Sequence, residues 1–235
     1  MKHLTFLILL FSAVLSAQDT SEFFTKADNF FQNYVEDGKV KYGEIKENPE
    51  DLHQLLNLAK RFKANPEEEE VYKAFWTNAY NLSVIDGIVK EYPVKSPLDI
   101  EGFFDKQPHS LALQSVTLDQ IEHELLFGNF PSEERFHFAL VCAAKSCPPL
   151  ISEAYKPETL EQQLQEQTIK TLNDPAFIKV REGEVLLSEI FKWYKEDFTK
   201  DGKSFIQYIN QFRTSKISER KNTGFYEYNW ELNDF

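Results

Sequence analysis

One long helical pattern, Glu68 to Tyr92, constrains how this chain can fold more than any other segment does. Apolar residues recur along it with the period of an α-helix, and Pro93 predicts where the helix ends. Asn78 and Asn81 fall on the inward-facing side of the pattern, so we expect a long helix with two amides pointing into the protein interior. The apolar stripe consists of Val71, Phe75, Leu82, Ile85 and Val89.

Buried amides need hydrogen-bond partners, which leaves two interpretations of Asn78 and Asn81 open. They either satisfy backbone groups at the ends of neighbouring strands, or they contribute to a binding site. His137 poses the same question, since a buried imidazole also needs a partner. Asn78 or Glu122 is the expected partner, and it would serve a core histidine as well as a catalytic one.

The remaining patterns are shorter, and helices outnumber strands. Further helices are predicted at residues 21–35, 51–63, 117–127, 159–172, 188–198 and 205–212. Strands are predicted at residues 40–42, 109–116, 136–142 and 226–232, with a hairpin at 177–187. Because these elements do not alternate regularly, we expect a helix-rich single domain of the α+β class. Its small sheet would have a buried central strand at about residues 136–142, which reads as a nearly continuous apolar run.

The N-terminus has the order of a secretory signal peptide. Lys2 and His3 precede an apolar run from Leu4 to Leu15, and small residues follow up to Ala17. The run is shorter than the roughly 20 residues that span a bilayer. We therefore expect residues 1–17 to be a signal peptide cleaved near Ala17. Residues 18–235 would form one globular domain, exported to the periplasm or outside the cell.

Composition limits the partners of this domain. The formal net charge is −12 at pH 7, so the acidic surface repels phosphate backbones and predicts no nucleic-acid partner. After the N-terminal run, no segment is long and apolar enough to predict a membrane span. The partner we expect is an unknown small molecule, peptide or protein.

Cys142 and Cys147 are the only two cysteines, and three interpretations of them remain open. An even cysteine count in an exported chain favours a disulfide, here closing a short loop. Such a loop would stabilise the fold by about 2 kcal/mol through loop closure. Zinc held by both cysteines with His123 and His137 is the weakest interpretation, because nothing else in the pattern is typical of a metal site. We predict no metal and no cofactor.

The third interpretation makes Cys147 a nucleophile. Pro148 is typical of the first turn of a helix, and a helix running toward Tyr155 would place the thiol at its N-terminus. The helix dipole and Lys145 would then lower the thiol pKa. His137 or His123 would serve as the base, with Glu122 or an asparagine amide orienting it.

Four segments resemble signature blocks of a known family. They are AFWTNAYN at residues 74–81, LDQIEH at 118–123, HFALVCAAKSCPPL at 137–150 and IFKWYKEDF at 190–198. In this order they resemble the domain of unknown function 547 family, over about residues 42–208. The usual blocks of that family have Ile at the position of Thr77 and Asn at that of Val141. The resemblance implies a shared fold but no settled reaction, so it transfers no catalytic residues.

These features predict one site, in which the loop from Cys142 to Cys147 lies beside the long helix and the helix that carries Glu122. The candidate catalytic residues are Cys147, His137, Glu122 and His123. The candidate binding residues are Asn78, Tyr80, Asn81, Cys142, Lys145 and Ser146. The first hypothesis is a thiol-dependent hydrolase or acyl transferase of the cell envelope. The alternative is a non-catalytic module with a structural disulfide, which binds a peptide, a glycan or a partner protein.

Overall fold

A computed structural model describes residues 20–235 of the chain. The predicted signal peptide, residues 1–17, lies outside the described residues. Among the residues that are described, no helix has the length and apolar character needed to cross a membrane.

The described residues form a helix-rich α+β fold. The helices are α1 (20–34), α2 (Tyr42–Glu47), α3 (Glu50–Arg61), α4 (Glu69–Glu91), α5 (Leu118–Gln120, continued as a π-helix over Ile121–Leu126), α6 (Phe136–Ala139), α7 (Leu160–Asn173), α8 (Ile190–Trp193), α9 (Lys195–Phe198) and α10 (Phe205–Phe212). The strands are β1 (Val35–Glu36), β2 (Lys39–Val40), β3 (His109–Leu111), β4 (Gln114–Val116), β5 (Lys179–Val180), β6 (Glu184–Leu187) and β7 (Asn222–Phe225). Strands β1–β2 and β3–β4 form antiparallel pairs, while β5, β6 and β7 form a sheet in which β6 and β7 run parallel.

Helix α4 is the structural centre, as the long helical pattern predicts. Every residue from Tyr72 to Val89 is buried, so the helix is covered on all sides rather than along one stripe. Helices α2 and α3 and the π-helical segment pack around it. At Gly87 the ring of Phe103 comes so near that an added Cβ would lie 2.6 Å from it. This glycine therefore permits a close approach that no larger residue would allow.

Two hydrophobic cores make up the interior. The larger surrounds α4, and the smaller is built around Phe191 and Phe198 with the β5–β6–β7 sheet. Helix α6 lies between them, since Phe136 belongs to the larger core and Phe138 to the smaller. Cys147 packs against both cores. The family-like block at residues 137–150 thus lies at the junction of the two cores.

The predicted central strand at residues 136–142 is wrong. Phe136–Ala139 is helix α6, and residues 140–142 have no regular secondary structure. A short, continuous apolar run fits a buried helix as well as a buried strand, so its period does not decide between them. Here the four residues form one helical turn that packs against α7, and the guanidinium of the preceding Arg135 forms a bidentate ion pair with Glu161 of α7.

Other boundaries also differ from expectation. Residues 109–116 form a hairpin rather than one strand, turning at Ala112 and Leu113, which both have positive φ. The helix predicted at 188–198 is divided at Tyr194 into α8 and α9. Residues 226–232 lie beyond β7 and form no regular strand, although their predicted alternation is present, with Tyr228 and Leu232 buried. The capping box that opens α5 at Thr117 is confirmed.

Side-chain amides replace the missing strand partners along residues 139–156. Asn81 donates to the Ala139 carbonyl and accepts from the Val141 amide, both at 3.0 Å. Asn78 donates to the Tyr155 carbonyl at 2.7 Å and accepts from the amide of the same residue at 3.0 Å. From α7, Gln163 bonds the Ala154 carbonyl and the Lys156 amide in the same manner, both at 2.8 Å. Each amide therefore acts as the neighbouring peptide group that a sheet would otherwise supply.

The Asn81 contacts generate a test of this account. Asn81→Leu keeps a similar volume but leaves the Ala139 carbonyl and the Val141 amide without partners in the core. Each unsatisfied buried group costs about 1–3 kcal/mol, so we expect the free energy of unfolding to fall by about 2–5 kcal/mol in urea denaturation. Asn173→Leu is the matched control, because Asn173 bonds Phe212 and Thr214 in the same way at a partly exposed position that water can reach. An equal or smaller loss at Asn81 contradicts the account.

Candidate functional site

A cleft of about 310 Å³ opens at the junction of the two cores. Tyr80 contributes from the middle of α4, and Glu122 from the π-helical segment. The disulfide loop and the end of α8 form two further sides. The segment after β7 closes the cleft with Tyr228 and Trp230. Parts of the chain that are far apart in sequence therefore meet at this one place.

Aromatic rings form most of the walls. Trp193 and Trp230 are stacked, with ring centroids 5.9 Å apart and an interplanar angle of 27°. Tyr228 packs against both, at 4.9 Å from Trp193 and 4.8 Å from Trp230. Phe104 extends this surface beyond Trp230. Trp193 is 45% exposed, so the aromatic surface reaches solvent at the mouth of the cleft.

A carboxylate of the lining, that of Glu122, lies among tyrosine hydroxyls. Tyr194 donates a hydrogen bond of 2.7 Å to Glu122 Oε1. Burial, and then the negative charge of Glu122, raise the pKa of Tyr194 and of Tyr80 well above its ordinary value. Both hydroxyls therefore remain protonated donors at neutral pH. Asp119 adds a second carboxylate to the lining and lies 3.5 Å from His123 Nε2.

His137 is held rigidly beside the cleft. Its ring stacks between Phe127 and Tyr194, with centroids 4.4 and 4.0 Å away. Its Nε2 donates to Asp197 Oδ2 at 2.9 Å. That hydrogen bond, and next the charge of the imidazole, hold the pKa of Asp197 below its ordinary value, although burial acts in the opposite direction. The partner of His137 is thus Asp197, and the expectation of Asn78 or Glu122 is wrong.

Cys142 and Cys147 form a disulfide, and both sulfur-bearing side chains line the cleft. The Tyr228 hydroxyl lies 3.3 Å from each Sγ. The backbone N–H of Cys142 also donates to Cys147 Sγ at 3.1 Å. No hydrogen bond joins His137 to either sulfur among the contacts of the described residues. Tyr228 is therefore the side chain in closest polar contact with the disulfide.

The structure brings most of the expected site together. Six of the ten candidate residues line the cleft, and they are Tyr80, Glu122, His123, His137, Cys142 and Cys147. Asn78 and Asn81 do not line it, since their amides are used up on backbone groups. Lys145 is exposed and pairs with Glu231 at 2.6 Å, while Ser146 accepts a hydrogen bond from the Asn229 amide. These four residues position the cleft instead of lining it.

The expected helix after Pro148 is absent, because residues 148–155 have no helical structure. Cys147 is consequently not at a helix N-terminus, and the predicted cause of a lowered thiol pKa is wrong. The disulfide also prevents both sulfurs from acting as thiolate ligands of zinc. No group of three or more His, Cys, Asp or Glu side chains is placed to hold a metal within the part of the chain that is described.

Several lining residues were missed from the sequence. Tyr228 and Trp230 belong to the segment whose alternating pattern predicts that they face inward. The pattern does not indicate that this segment lies beside the cysteines. Trp193 and Tyr194 lie in one of the family-like blocks, where their spacing indicates only a helix. Asp197 follows on the next helix and gives no local indication that His137 is its partner.

The pairing of Asp197 with His137 generates a second test. Asp197→Ala leaves a buried imidazole N–H without its partner, so we expect the free energy of unfolding at pH 7 to fall by about 1–3 kcal/mol. Because the folded-state pKa of Asp197 lies below its ordinary value of 3.8, the stabilisation is complete above that value. It is lost as the pH falls through the lowered pKa. Urea unfolding of the wild type and the variant should therefore converge in acid, whereas the exposed control Glu196→Ala should match the wild type throughout. A difference that persists unchanged in acid contradicts this origin.

Comparison with known proteins supports the resemblance seen in the sequence. Residues 64–170 match the profile of a family described as "Protein of unknown function, DUF547". No curated protein and no solved structure matches the chain. The matched region contains α4, the π-helical segment, His137 and both cysteines. Over residues 64–170 this chain is therefore similar to the DUF547 family of proteins of unknown function.

Proposed function

We propose that this protein is a binding module whose cleft takes a small organic cation. The observation that carries the proposal is the make-up of the lining. Aromatic rings form its walls, Glu122 and Asp119 provide two carboxylates, and no Lys or Arg is among the lining residues. This combination is complementary to a positively charged ligand with apolar substituents, such as a quaternary ammonium group.

The physical basis is the attraction of a cation to the face of an aromatic ring. One ring contributes about 0.5–1 kcal/mol at an exposed site and about 2 kcal/mol or more when the cation is desolvated. Trp193, Trp230 and Tyr228 offer rings within one wall, and Glu122 adds a carboxylate to the same cleft. A neutral ligand of the same shape gains only the apolar contact. The overall charge of −12 adds a long-range attraction for cations.

Export is part of the proposal. The signal-like N-terminal pattern supports secretion, and a disulfide is typical of proteins outside the cytoplasm. In this setting the module would meet its ligand in the periplasm or beyond the cell. The signal-like pattern and the disulfide equally support a protein whose disulfide is purely structural, so that the two sulfurs only shape the cleft.

The binding proposal is tested with choline and its uncharged carbon isostere, 3,3-dimethyl-1-butanol. Tryptophan fluorescence reports directly, because Trp193 and Trp230 line the cleft while Trp76, the third tryptophan, is fully buried elsewhere. We expect choline to change the emission with at least about tenfold higher affinity than the isostere. Glu122→Gln should weaken choline about tenfold by removing the opposing charge.

The matched control for that variant is Glu124→Gln, on the same helical segment but exposed and outside the cleft. It should bind choline as the wild type does. Equal affinity for choline and the isostere would show that charge plays no part in recognition. No response to choline at all would remove the proposal.

Thiol catalysis by Cys147 is a second candidate, and one observation favours it. Asp197 orients the imidazole of His137 beside a cleft that also holds Cys147, which is the order of roles in a nucleophile–histidine–carboxylate triad. The disulfide must first be reduced. Because His137 Nε2 is bonded to Asp197, Nδ1 is the ring nitrogen that would accept the thiol proton in such a hydrolase or acyl transferase.

Hydrolysis of p-nitrophenyl acetate by the reduced protein tests this candidate. The reduced wild type should show a burst of p-nitrophenol, and Cys147→Ser should abolish it. Asp197→Asn should slow the reaction by at least about tenfold while leaving Cys147 in place. Cys142→Ser, which keeps the candidate nucleophile, is the control and should retain the burst. Equal rates for the wild type and Cys147→Ser would rule out the catalytic hypothesis.

A further inference from the structure

The loop that carries the disulfide is held in place by contacts other than the disulfide. The Lys145 amide bonds the carbonyl of Glu231 at 2.8 Å, and the Ser146 amide bonds that of Asn229 at 3.2 Å. In the other direction, the Asn229 amide donates a hydrogen bond of 2.8 Å to the Ser146 hydroxyl. Within the loop, the Cys147 amide bonds the Ala144 carbonyl at 3.0 Å. These hydrogen bonds hold the loop to the segment after β7 without the S–S bond.

The two sulfurs are not equivalent. Cys147 Sγ accepts hydrogen bonds from the Cys142 N–H and from the Tyr228 hydroxyl, whereas Cys142 Sγ is in contact with the Tyr228 hydroxyl alone. Hydrogen bonds to an ionised acceptor are roughly twice as strong as neutral ones. A thiolate that forms at Cys147 is thus stabilised more than one at Cys142. Cys147 is the better leaving group when the disulfide is attacked.

We infer that Cys142–Cys147 is a thiol–disulfide exchange site for thiol-bearing substrates that enter the aromatic cleft. A substrate thiolate attacks Cys142 Sγ, and the electron pair of the S–S bond passes to Cys147 Sγ. The product is a mixed disulfide between the substrate and Cys142. A second substrate thiol loses its proton and attacks the substrate sulfur, which releases Cys142 as a thiolate. Two substrate thiols are thereby oxidised to one disulfide, the protein disulfide is reduced to a dithiol, and an external disulfide oxidant restores it.

This activity does not depend on the bound cation proposed above. It needs only that both sulfurs are accessible from the cleft, which they line, and that the reduced loop stays folded. Failure of choline to bind would therefore leave it standing, and failure of exchange would leave the cation site standing.

The first experiment equilibrates the native protein with mixtures of reduced and oxidised dithiothreitol. Alkylation followed by mass spectrometry gives the reduced fraction, and near-ultraviolet circular dichroism follows the tertiary structure. We expect full reduction with the dichroism unchanged. Tyr228→Phe removes the hydroxyl that stabilises the Cys147 thiolate, so the equilibrium should shift about tenfold toward the disulfide. Tyr226→Phe, the same change two residues away, should not shift it. A disulfide that resists dithiothreitol in the native protein, or reduction that abolishes the dichroism, overturns the inference.

The second experiment compares the single thiols. Cys142→Ser leaves Cys147 free, and Cys147→Ser leaves Cys142 free. Both share the same titratable groups of the cleft lining, namely the carboxylates of Glu122 and Asp119 and the imidazoles of His137 and His123. With the aromatic disulfide 5,5′-dithiobis(2-nitrobenzoate) near neutral pH, Cys147 should react at least about tenfold faster. An equal or slower reaction of Cys147 contradicts its assignment as the better leaving group. If either variant fails to fold, the equilibrium of the wild-type protein with dithiothreitol decides alone.

Discussion

The structure depends on the way α4 satisfies backbone groups that no strand pairs. Its two buried asparagines reach out of the helix to residues 139–141 and to Tyr155, and each amide donates one hydrogen bond to that segment and accepts one from it. An irregular segment buried between two cores would otherwise leave peptide groups without partners, which is strongly unfavourable. With these bonds in place, the segment from α6 to residue 156 needs no sheet. It can therefore turn sharply enough to bring His137 and both cysteines to one cleft.

The position of that cleft follows from the two-core arrangement. One wall comes from elements of the larger core, such as Tyr80 on α4, and the other from the smaller core and the segment after β7. Such a junction leaves a gap that neither core fills, and the gap is lined by large, rigid rings. The polar groups in it are few and each is fixed by a neighbour, as Glu122 is by Tyr194 and His137 by Asp197. A preorganised site of this kind loses little conformational entropy when a ligand enters.

Local patterns predicted the parts of the fold whose structure is locally determined. The bounds of α4 and α10, the capping box at Thr117 and the inward direction of Asn78 and Asn81 all follow from spacing along one element. The prediction for residues 136–142 failed because a short apolar run has no period that separates a buried helix from a buried strand. The sequence predicts only part of the site, because only some of its residues are recognisable from their local context. His137 and the cysteines are unusual residues in an apolar context, whereas Tyr228, Trp230 and Asp197 acquire meaning only through partners that lie far away in sequence.

The segment after β7 has a further consequence for how the chain becomes a functional protein. It supplies Tyr228 and Trp230 to the cleft, and a few residues later Asn233 accepts hydrogen bonds from the Tyr42 hydroxyl and the Val40 amide. These contacts join residues more than 190 positions apart. Contacts of such high sequence separation form late, because a long loop must close before they are gained. During synthesis the cleft thus stays open on one side until the segment after β7 has left the ribosome. The elements that carry Tyr80, His137 and both cysteines are made earlier, so the aromatic wall of Tyr228 and Trp230 is added to a site whose other walls already exist in the chain.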